Sequence, residues 1–565
     1  MQDCNTTNAA DVEQPSVDSY RTLLDVVDNA CQRFAQRPAF TALGHSISFA
    51  ELDRQSRAFA AYLQQHTDLQ PGDRIAIQLP NLIQYPVALF GALRAGLIVV
   101  NTNPLYTPQE MLHQFSDSGA RALVVLANFA SKVEKIAPQF AFDYLIVTEL
   151  GDALPTGRRW LVNAAVRYLK KLVPEYHLAA AISFRRTLAL GAEAEYRAPQ
   201  TDPEAVAILQ YTGGTTGVAK GAMLSHRNLV ANIRQVHHAI GGIFASTGEI
   251  AIAPLPLYHI YSFTVNCMVM MEAGVQVVLI PNPRDIPNFV KELKKYPFSF
   301  FSGLNTLFVA LCHNADFKQL DFSHLKVTLS GGMALTCAAA ESWQAITGCG
   351  INEGYGLTET SPVVALNPPG AARLGTIGLP MPETEVRLID DEGVVLPAGA
   401  IGELCVRGPQ VMQGYWQQPQ ETAAVLDAQG WFRTGDIAQI QEDGYLRIVD
   451  RKKDLIIVSG FNVYPCELEE VISSHPDVVE CAVVGLPHEV HGEQVKAYVV
   501  SANPELTVQG VRDYCRDRLT AYKVPALVEF RSELPKSNVG KVLRRVLRDG
   551  DRASNGRAGK SGYGA

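Results

Sequence analysis

A loop rich in glycine and threonine, YTGGTTGVAKG, occupies residues 211–221 and follows a short apolar run. Glycines let backbone amides approach an anion without a Cβ in the way. The hydroxyls of Thr212, Thr215 and Thr216 and the ammonium of Lys220 add further donors, as in the concavities that bind phosphate. The composition favours a phosphate site, a flexible turn is the alternative, and the loop alone leaves both interpretations open.

The flanks of the loop separate it from a Walker A loop, in which GxxxxGK is followed by Ser or Thr and opens a helix. Here AVAILQYT predicts a buried strand before the loop, and GAMLS after Lys220 predicts a second strand. A helix is expected to begin near Ser225. The flanks therefore predict a nucleotide-binding loop of another type.

Six motifs follow one another along the chain: YTGGTTGVAKGAMLSHRNL, PLYHIYSF, NEGYGLTETSP, GWFRTGDI, DRKKDLIIVSGFNVYPCELE and PKSNVGKVLRR. In these motifs and in their order, the chain from about residue 20 to residue 548 resembles the acyl-adenylate-forming superfamily and, within it, the bacterial long-chain fatty acyl-CoA synthetases. The resemblance implies that a carboxylate attacks the α-phosphate of ATP to give acyl-AMP and pyrophosphate, after which the thiol of coenzyme A displaces AMP. The ligands it implies are ATP, Mg²⁺, coenzyme A and a long-chain fatty acid.

The resemblance also implies which residues bind the nucleotide. They are Thr212, Gly213, Gly214, Thr215, Thr216, Gly217, Lys220, Gly331, Gly332, Met333, Tyr355, Gly356, Thr358, Asp436 and Arg451. Among them, Tyr355 and Gly356 would form the adenine slot with residues 330–335, the aromatic ring covering one face of the base. Asp436 would accept hydrogen bonds from the two ribose hydroxyls, since a carboxylate is an acceptor only. From residue type alone, Asp436 after a glycine is also typical of a turn.

Three residues would carry the chemistry of the first step. By the same resemblance, Glu359 and Thr216 bind the magnesium ion, and Lys541 reaches from a small C-terminal domain to the carboxylate and the α-phosphate. A preorganised cation placed where negative charge develops lowers the barrier. From residue type alone, Lys541 is a solvated lysine, so its assignment depends on the family. Glu359 could be an exposed acid in a turn, but its place in a glycine- and hydroxyl-rich loop after a predicted strand favours the site.

The second step is expected to use another orientation of the C-terminal domain. The resemblance puts Lys453 at the hinge and Gly460 where the pantetheine arm of coenzyme A passes close to the backbone. It suggests His259 and Tyr261 at the carboxyl end of the acyl pocket, and Gly303 where a larger side chain would block the alkyl chain. A packing role for His259 stays open, and the preferred chain length does not follow from these residues.

The elements that must position these residues alternate along the chain. Helix-like segments separate short β-rich runs such as RIAIQL, ALVVLA and LKVTLSGG, which predicts an α/β fold of stacked parallel-type sheets covered by helices. Short strands and turns over residues 375–450 predict a β-rich subdomain. We expect a flexible arm over residues 1–20, a large adenylation domain over 21–450, a hinge at 451–454, a mobile α+β domain over 455–548 and a disordered tail over 549–565.

Composition narrows the class of protein and its compartment. A net charge of −8 argues against nucleic-acid binding, and ten cysteines without a CxxC pair or a Cys/His cluster argue against a disulfide framework or structural zinc. The N-terminal residues lack a signal-peptide pattern, and no apolar run is long enough to span a membrane. We therefore expect a cytoplasmic protein, and a homodimer remains open.

The segment RRWLVNAAVRYLKKLVP, residues 158–174, predicts a basic amphipathic helix. Helical spacing puts Leu161, Ala165, Tyr168, Leu169 and Leu172 on one face, away from most of the basic residues. Packing of this stripe on its own domain is the favoured interpretation, and peripheral attachment to the cytoplasmic face of the inner membrane is the alternative. The remaining functional alternatives are a medium-chain acyl-CoA ligase, an acyl-AMP ligase that serves another acceptor, and a membrane-docked protein that captures fatty acids.

Overall fold

Four β-sheets are formed by the residues that the computed structural model describes, namely 17–212, 219–244, 247–459, 461–488, 491–537 and 540–558. Two large sheets belong to the first part of the chain, and two smaller sheets follow. The helices are α1 (Leu23–Arg33), α2 (Phe49–Gln65), α3 (Gln84–Arg94), α4 (Pro108–Ser118), α5 (Ala130–Ile136), α6 (Thr156–Ala164), α7 (Phe184–Ala192), α8 (His226–Ile240), α9 (Ile260–Ser262), α10 (Met270–Glu272), α11 (Ile286–Leu293), α12 (Asn305–His313), α13 (Cys337–Thr347), α14 (Pro419–Val425), α15 (Pro465–Ser473), α16 (Val508–Arg516) and α17 (Arg544–Ala558).

The nine-stranded sheet contains the first two strands of the chain and then seven that come much later. Its strands are β1 (Pro38–Ala42), β2 (His45–Ser48), β10 (Ile250–Ala253), β11 (Gln276–Leu279), β12 (Phe300–Gly303), β13 (Val327–Ser330), β14 (Ile351–Gly356), β15 (Val363–Leu366) and β16 (Leu379–Pro380). They stand in the order β16-β15-β14-β13-β12-β10-β11-β1-β2. The central pairs are parallel, and the pairs at the two ends are antiparallel.

The seven-stranded sheet is built from the alternating stretch between β2 and β10. Its strands are β3 (Arg74–Gln78), β4 (Ile98–Asn101), β5 (Ala122–Leu126), β6 (Tyr144–Thr148), β7 (Ala181–Ser183), β8 (Val206–Thr212) and β9 (Lys220–Ser225). They stand in the order β7-β6-β5-β3-β4-β8-β9, and all pairs are parallel except β8–β9. The fully buried run ALVVL of β5 is typical of a parallel strand covered on both faces.

One continuous apolar cluster joins the two large sheets. It includes Val99 of the seven-stranded sheet, Val277 of the nine-stranded sheet and much of α3, in which every residue is buried. The buried guanidinium of Arg94 pairs with Asp53 at 2.6 Å, so its charge is compensated. This shared core fixes the two sheets relative to each other, and with them the loops that follow their strands.

Two smaller sheets complete the fold. The four-stranded sheet, β17 (Glu385–Ile389), β18 (Ile401–Arg407), β19 (Phe432–Ile440) and β20 (Leu446–Arg451), is antiparallel throughout. The five-stranded sheet consists of β21 (Ile456–Val458), β22 (Phe461–Val463), β23 (Val478–His488), β24 (Gly492–Ser501) and β25 (Leu527–Phe530), and its core includes residues of α15 and α16. The predicted α/β fold class is confirmed, while the domain boundaries stay predictions.

The basic amphipathic segment departs from the favoured interpretation. α6 ends at Ala164 and continues as a π-helical stretch over Ala165–Leu169. Leu161, Tyr168 and Leu169 are 73%, 74% and 80% exposed, so the apolar stripe does not pack on its own domain. The wider turn of a π-helix shifts the side chains off the 3.6-residue pattern, and Val166 is buried in their place.

Both predicted terminal segments contain ordered residues. Tyr20, in the predicted flexible arm, is buried and donates its hydroxyl to Asn29 Oδ1 at 2.7 Å. At the other end, α17 extends to Ala558, well into the segment 549–565 that was expected to be disordered. The buried ammonium of Lys496 donates to Asp551 Oδ1 at 2.8 Å, which anchors this helix where composition alone indicated disorder.

Two expectations about covalent and membrane structure can be compared with the described residues. Each cysteine in them is free. Within the same ranges, no helix combines the length and the apolar character that a bilayer crossing requires.

Candidate active site

The two strands that flank the glycine-rich loop form an antiparallel pair at the edge of the seven-stranded sheet. Thr212 at the end of β8 lies opposite Lys220 at the start of β9. Ser225 then caps α8, because the Asn228 amide donates to its hydroxyl at 3.1 Å. The predicted order of strand, loop, strand and helix is confirmed. The predicted phosphate-binding residues in the loop itself lie outside the described residues: Gly213, Gly214, Thr215, Thr216 and Gly217.

Lys220 and Glu359 both contact the side chain of Tyr415. The Lys220 ammonium lies 5.0 Å from the centroid of the Tyr415 ring and pairs with Glu421. The Tyr415 hydroxyl donates to Glu359 Oε1 at 2.8 Å. Desolvation raises the pKa of the Glu359 carboxyl. A predicted phosphate ligand and a predicted magnesium ligand therefore lie close together, and Thr358 begins the short 3₁₀ turn that carries Glu359.

The residues predicted for the adenine slot lie at the ends of β13 and β14. These strands pair in parallel, so Gly331, after β13, and Tyr355 and Gly356, at the end of β14, lie at the same edge of the sheet. A Cβ on Gly356 would lie 2.0 Å from the Pro362 carbonyl oxygen, so only glycine fits there. A Cβ on Gly331 would lie 3.3 Å from the Tyr261 ring, which puts the predicted acyl pocket beside the slot.

Asp436 is the centre of a charged and hydrogen-bonded trio. Tyr355 donates its hydroxyl to Asp436 Oδ2 at 2.5 Å, and Arg451 Nε lies 3.2 Å from Oδ1. β19 and β20 pair with Asp436 opposite Arg451. Burial, reinforced by the Asp436 charge, raises the pKa of the Tyr355 hydroxyl. A carboxylate held in a fixed orientation, with acceptor capacity to spare, suits a diol with two donors.

Lys541 lies on a loop of the C-terminal domain that contacts the large domain. The Lys541 amide donates to the Ser537 hydroxyl at 3.1 Å. A Cβ on the preceding residue, Gly540, would lie 3.1 Å from Thr306 Oγ1 and 3.2 Å from Leu304 Cδ1. The loop therefore lies against the start of α12, and its φ of +82° favours glycine at this position.

The electrostatic surroundings of Lys541 belong to the predicted nucleotide site. Burial lowers the pKa of the Lys541 ammonium to about 7; Arg451 and Lys453 act in the same direction, and Asp436 opposes them. Burial, together with the charge of Lys541, also lowers the pKa of His259 to about 4, so this imidazole is neutral at pH 7. The Lys541 ammonium is thus within electrostatic range of both Asp436 and His259.

The predicted hinge residue Lys453 lies in a 3₁₀ turn directly after β20. A hydrogen bond crosses it: the buried carboxylate of Asp450 accepts from the Cys466 amide at 2.8 Å. Cys466 lies in the first turn of α15, whose N-cap residue, Tyr464, makes no capping bond with its side chain. Asp450 therefore supplies the cap from the other side of the hinge.

Asp454, the residue that follows Lys453, forms ion pairs with the C-terminal helix α17. Asp454 accepts from Arg548 at 2.7 Å and from Arg544 at 3.3 Å, both on α17. Arg544 also pairs with Glu469 of α15 at 2.6 Å. These ion pairs lie within the C-terminal domain, so they attach Asp454 to α15 and α17 of that domain.

The predicted acyl-pocket residues lie in two surroundings. Tyr261 has a buried hydroxyl without a hydrogen-bond partner among the described residues, and its amide donates to His259 Nδ1 at 3.4 Å. A Cβ on Gly303, in contrast, would lie 2.7 Å from the ring of Phe308, a core residue. Packing against Phe308 explains this glycine, and its role in an acyl pocket stays a prediction.

Three residues that contact the predicted site residues or lie beside them were not predicted from the sequence. The Glu353 carboxyl accepts from the Leu335 amide at 3.1 Å, and desolvation raises the pKa of this carboxyl to about 8. The two-residue strand period could have revealed Glu353, because it shares a face with Tyr355. Tyr415 gave no such signal, since its partner Glu359 lies 56 residues away. Asp450 and its partner Cys466 both lie in the motif that begins at Asp450, but residue type alone does not indicate their hydrogen bond.

Most of the predicted site residues that the structure describes lie in one region of the molecule. Joined through contacts or electrostatic interactions are Lys220, Glu359, Tyr355, Asp436, Arg451, Lys453, Lys541, His259 and Tyr261. Gly332, with φ +82°, and Met333 continue the loop after β13. Gly460, like residues 213–217, lies outside the described residues.

Comparison with known proteins covers nearly the whole chain. The AMP-binding enzyme family matches residues 27–416, and the AMP-binding enzyme C-terminal domain matches residues 467–541. A long-chain-fatty-acid–CoA ligase of Escherichia coli O6:H1 is 54% identical over 533 residues, 94% of this chain and 95% of that protein. The ligase of the same name from Haemophilus influenzae is 51% identical over 94% and 95%. In fold, an anthranilate CoA ligase solved with anthranoyl-AMP gives a TM-score of 0.84 at 24% identity, covering 96% of this chain and 100% of that one.

Proposed function

The chain belongs to the AMP-binding enzyme family, and from that premise we propose that it activates long-chain fatty acids to acyl-CoA with ATP. The acid is first converted to acyl-AMP with release of pyrophosphate, and coenzyme A then displaces AMP. One observation carries the proposal: the chain is 54% identical, over 94% of its length, to a long-chain-fatty-acid–CoA ligase. The electrostatic influence of Asp436 and Arg451 on Lys541 of the C-terminal domain supports it.

In the proposed first step, the large domain binds ATP. Tyr355 and the glycines of the slot take the adenine, and Asp436 with Arg451 takes the ribose hydroxyls. Lys220, Thr358 and the loop at residues 212–220 take the phosphates. The fixed hydrogen bonds of Asp436 support this assignment, because a preorganised acceptor needs little rearrangement when the ribose binds.

Magnesium is proposed to bind at Glu359 with Thr216. Among the described residues no group of three His, Cys, Asp or Glu side chains could hold a metal ion. A single desolvated carboxylate nonetheless fits Mg²⁺, which commonly uses one or two carboxylates together with substrate phosphates. When bound, the ion would offset negative charge on the phosphate oxygens.

Lys541 is proposed to act on the reacting groups themselves. Its ammonium would contact the fatty-acid carboxylate and the α-phosphate, where negative charge grows as the new bond forms. His259 and Tyr261 would lie at the carboxyl end of the acyl pocket. The unpartnered hydroxyl of Tyr261 supports this placement, since a buried hydroxyl without a partner is costly unless a ligand supplies one.

The proposed second step follows rotation of the C-terminal domain at Lys453, which brings Gly460 to coenzyme A. Rotation there would break the Asp450–Cys466 hydrogen bond, which crosses the hinge. It would leave the ion pairs of Asp454 intact, because these lie within the moving domain. The distribution of contacts therefore supports a hinge at Lys453 with a rigid domain beyond it.

The decisive experiment measures AMP, pyrophosphate and acyl-CoA with fatty acids of increasing chain length, each with and without coenzyme A. AMP and acyl-CoA that appear together, only with coenzyme A, and increase toward long chains support the proposal. Preference for shorter acids would favour a medium-chain ligase. Pyrophosphate release without thioester would favour an acyl-AMP ligase, and no nucleotide turnover with any acid would contradict both.

Peripheral attachment to a membrane is the second part of the proposal. Trp160, Leu161 and Leu169 are 68%, 73% and 80% exposed beside the basic residues of segment 158–174. Apolar side chains flanked by cations fit an anionic bilayer surface, where the substrate acids dissolve. The observation that favours this candidate is the exposure of the stripe, which a domain-packed helix would bury.

Vesicle flotation tests the attachment. The chain should float with vesicles that contain phosphatidylglycerol and less with pure phosphatidylcholine. The double variant Leu161→Glu, Leu169→Glu should remove flotation, whereas Val394→Glu, at a 60% exposed site in another region, should not. Equal flotation of both variants would contradict this surface. The homodimer stays a prediction, which light scattering of the purified chain tests.

A further inference from the structure

We propose that Tyr415 is a positioning residue of the nucleotide site, whose hydroxyl orients the Glu359 carboxylate toward Mg²⁺ and whose ring carries the Lys220 ammonium. The inference rests on the proposed function, because it takes Glu359 and Lys220 as ligands of Mg²⁺·ATP. Neither the composition of the motifs nor their spacing indicates Tyr415.

The hydroxyl fixes one oxygen of the carboxylate. It donates to Glu359 Oε1 at 2.8 Å, and Tyr415 is only 8% exposed, so water does not compete freely for this bond. A carboxylate anchored through one oxygen presents the other in a defined direction. Ligating carboxylates in proteins are commonly hydrogen-bonded in this way, and loss of such a partner costs 10–100-fold in metal affinity.

The ring holds the cation of the same site. The Lys220 ammonium lies 5.0 Å from the ring centroid, within the range of a cation–π interaction. It also pairs with Glu421 of α14, a carboxylate that is half-exposed. Phosphates that bind at Lys220 would replace the Glu421 pairing, while the ring contact keeps the ammonium near Glu359.

The backbone around Tyr415 joins the two elements that carry these ligands. Tyr415 forms a bridge with Ala222 of β9, and the Trp416 amide donates to the Gly221 carbonyl at 2.8 Å. On the other side, the Met412 amide donates to the Glu359 carbonyl oxygen at 2.8 Å. Residues 412–416 therefore connect the strand that follows the phosphate loop with the turn that carries the magnesium ligand.

A tyrosine of the β-rich subdomain provides the matched control. Tyr445 donates its hydroxyl to the Ala371 carbonyl oxygen at 3.0 Å, away from Glu359 and Lys220. Tyr445→Phe and Tyr415→Phe remove the same atom and leave the ring. A difference between the two variants therefore reports the contact with Glu359 and not the loss of a phenol in general.

The test is calorimetric binding of ATP to the full chain, without fatty acid, at fixed free Mg²⁺ concentrations from none to saturating. For Tyr415→Phe, the Mg²⁺ concentration that gives half of the gain in ATP affinity should rise about tenfold. Binding without Mg²⁺ should stay within about twofold, because the ring is kept. Tyr415→Leu should also weaken metal-free binding, by about two- to fivefold, through loss of the cation–π contact.

A double-variant cycle separates positioning from structure. In a Glu359→Gln background, Tyr415→Phe should cause no further change in the Mg²⁺ dependence, and Tyr445→Phe should cause none in either background. An unchanged Mg²⁺ dependence in Tyr415→Phe would overturn the role of Tyr415 while leaving the proposed function intact. Absence of Mg²⁺·ATP binding by the unaltered chain would instead contradict the proposed function.

Discussion

The nucleotide side of the site and the lysine that completes it are held in different ways. The carboxylate of Asp436 is held in place by two neighbours: Tyr355 donates a hydrogen bond to it, and Arg451 forms an ion pair with it. Lys541 stands on a loop of another domain, and the contacts across the proposed hinge include the hydrogen bond from the Cys466 amide to Asp450 and a 4.0 Å ion pair between Arg544 and Asp450. The contrast supports the proposed division between binding groups held in the large domain and a lysine carried by a domain that rotates.

Restricting the backbone at the proposed hinge should have the largest effect, because it should separate the two half-reactions completely. Lys453→Pro restricts the backbone where rotation is proposed, so acyl-CoA formation should stop while pyrophosphate release continues. Both products are measured in one quenched assay. Lys453→Ala, which removes the side chain and leaves the backbone free, should retain thioester formation. Survival of both half-reactions in the proline variant would show that the hinge lies elsewhere.

Removing the Lys541 ammonium should slow the adenylation half-reaction and spare thioester formation. Lys541→Ala should lower the adenylation rate by at least about 10²–10³-fold, the usual effect of losing one preorganised donor. Thioester formation from supplied acyl-AMP should be largely spared. Lys536→Ala is the control, since Lys536 belongs to the same loop but pairs with Glu480 at 2.7 Å. Equal losses in both half-reactions would refute this role of Lys541.

Weakening the bond across the hinge should shift the balance between the two orientations. Asp450→Ala removes the cap of α15, which is worth about 1 kcal/mol, or about a fivefold change in population. Adenylation should fall by a few fold, and thioester formation from acyl-AMP should not fall. Single-turnover rates of both steps measure the ratio. A fall in both steps by the same factor would mean that Asp450 serves stability alone.

The protonation of Lys541 should change by the smallest amount of these effects, and the change can be measured directly. Its pKa of about 7 lies below the usual value for lysine, so the folded chain binds fewer protons than the unfolded chain above pH 7. This contribution to the free energy of unfolding therefore increases as pH rises from 7 toward 10. Phosphate anions near the ammonium should raise the pKa again, so ATP binding at pH 8 should take up part of one proton.

Calorimetry in two buffers of different ionisation enthalpy measures that uptake. Lys541→Ala should abolish it, and Lys541→Arg should too, because a guanidinium stays charged throughout this range. Uptake that persists in both variants would assign the proton to another group, such as the carboxyl of Glu353, whose pKa is about 8.

Local patterns predicted the family and the fold class, while the nucleotide residues stay predictions. The strands around the glycine-rich loop were correct because apolar runs and a capping serine are read within a few residues, as at Ser225. Tyr415 was missed because its partner Glu359 lies 56 residues away along the chain. The same limit explains the tail, where Lys496 anchors Asp551. For the stripe at Leu169, periodicity predicted a face but could not say whether anything covers it.

The order of strands in the nine-stranded sheet has a consequence for synthesis. Phe40 of β1 pairs in parallel with Val277 of β11, and the entire seven-stranded sheet is encoded between them. At about 5–20 residues per second, β1 leaves the ribosome roughly 10–50 s before its partner exists. The seven-stranded sheet can close first, while a mostly buried strand of the mature protein waits with a free edge. The newborn chain is therefore most prone to aggregation at its beginning, long before Lys541 has been translated.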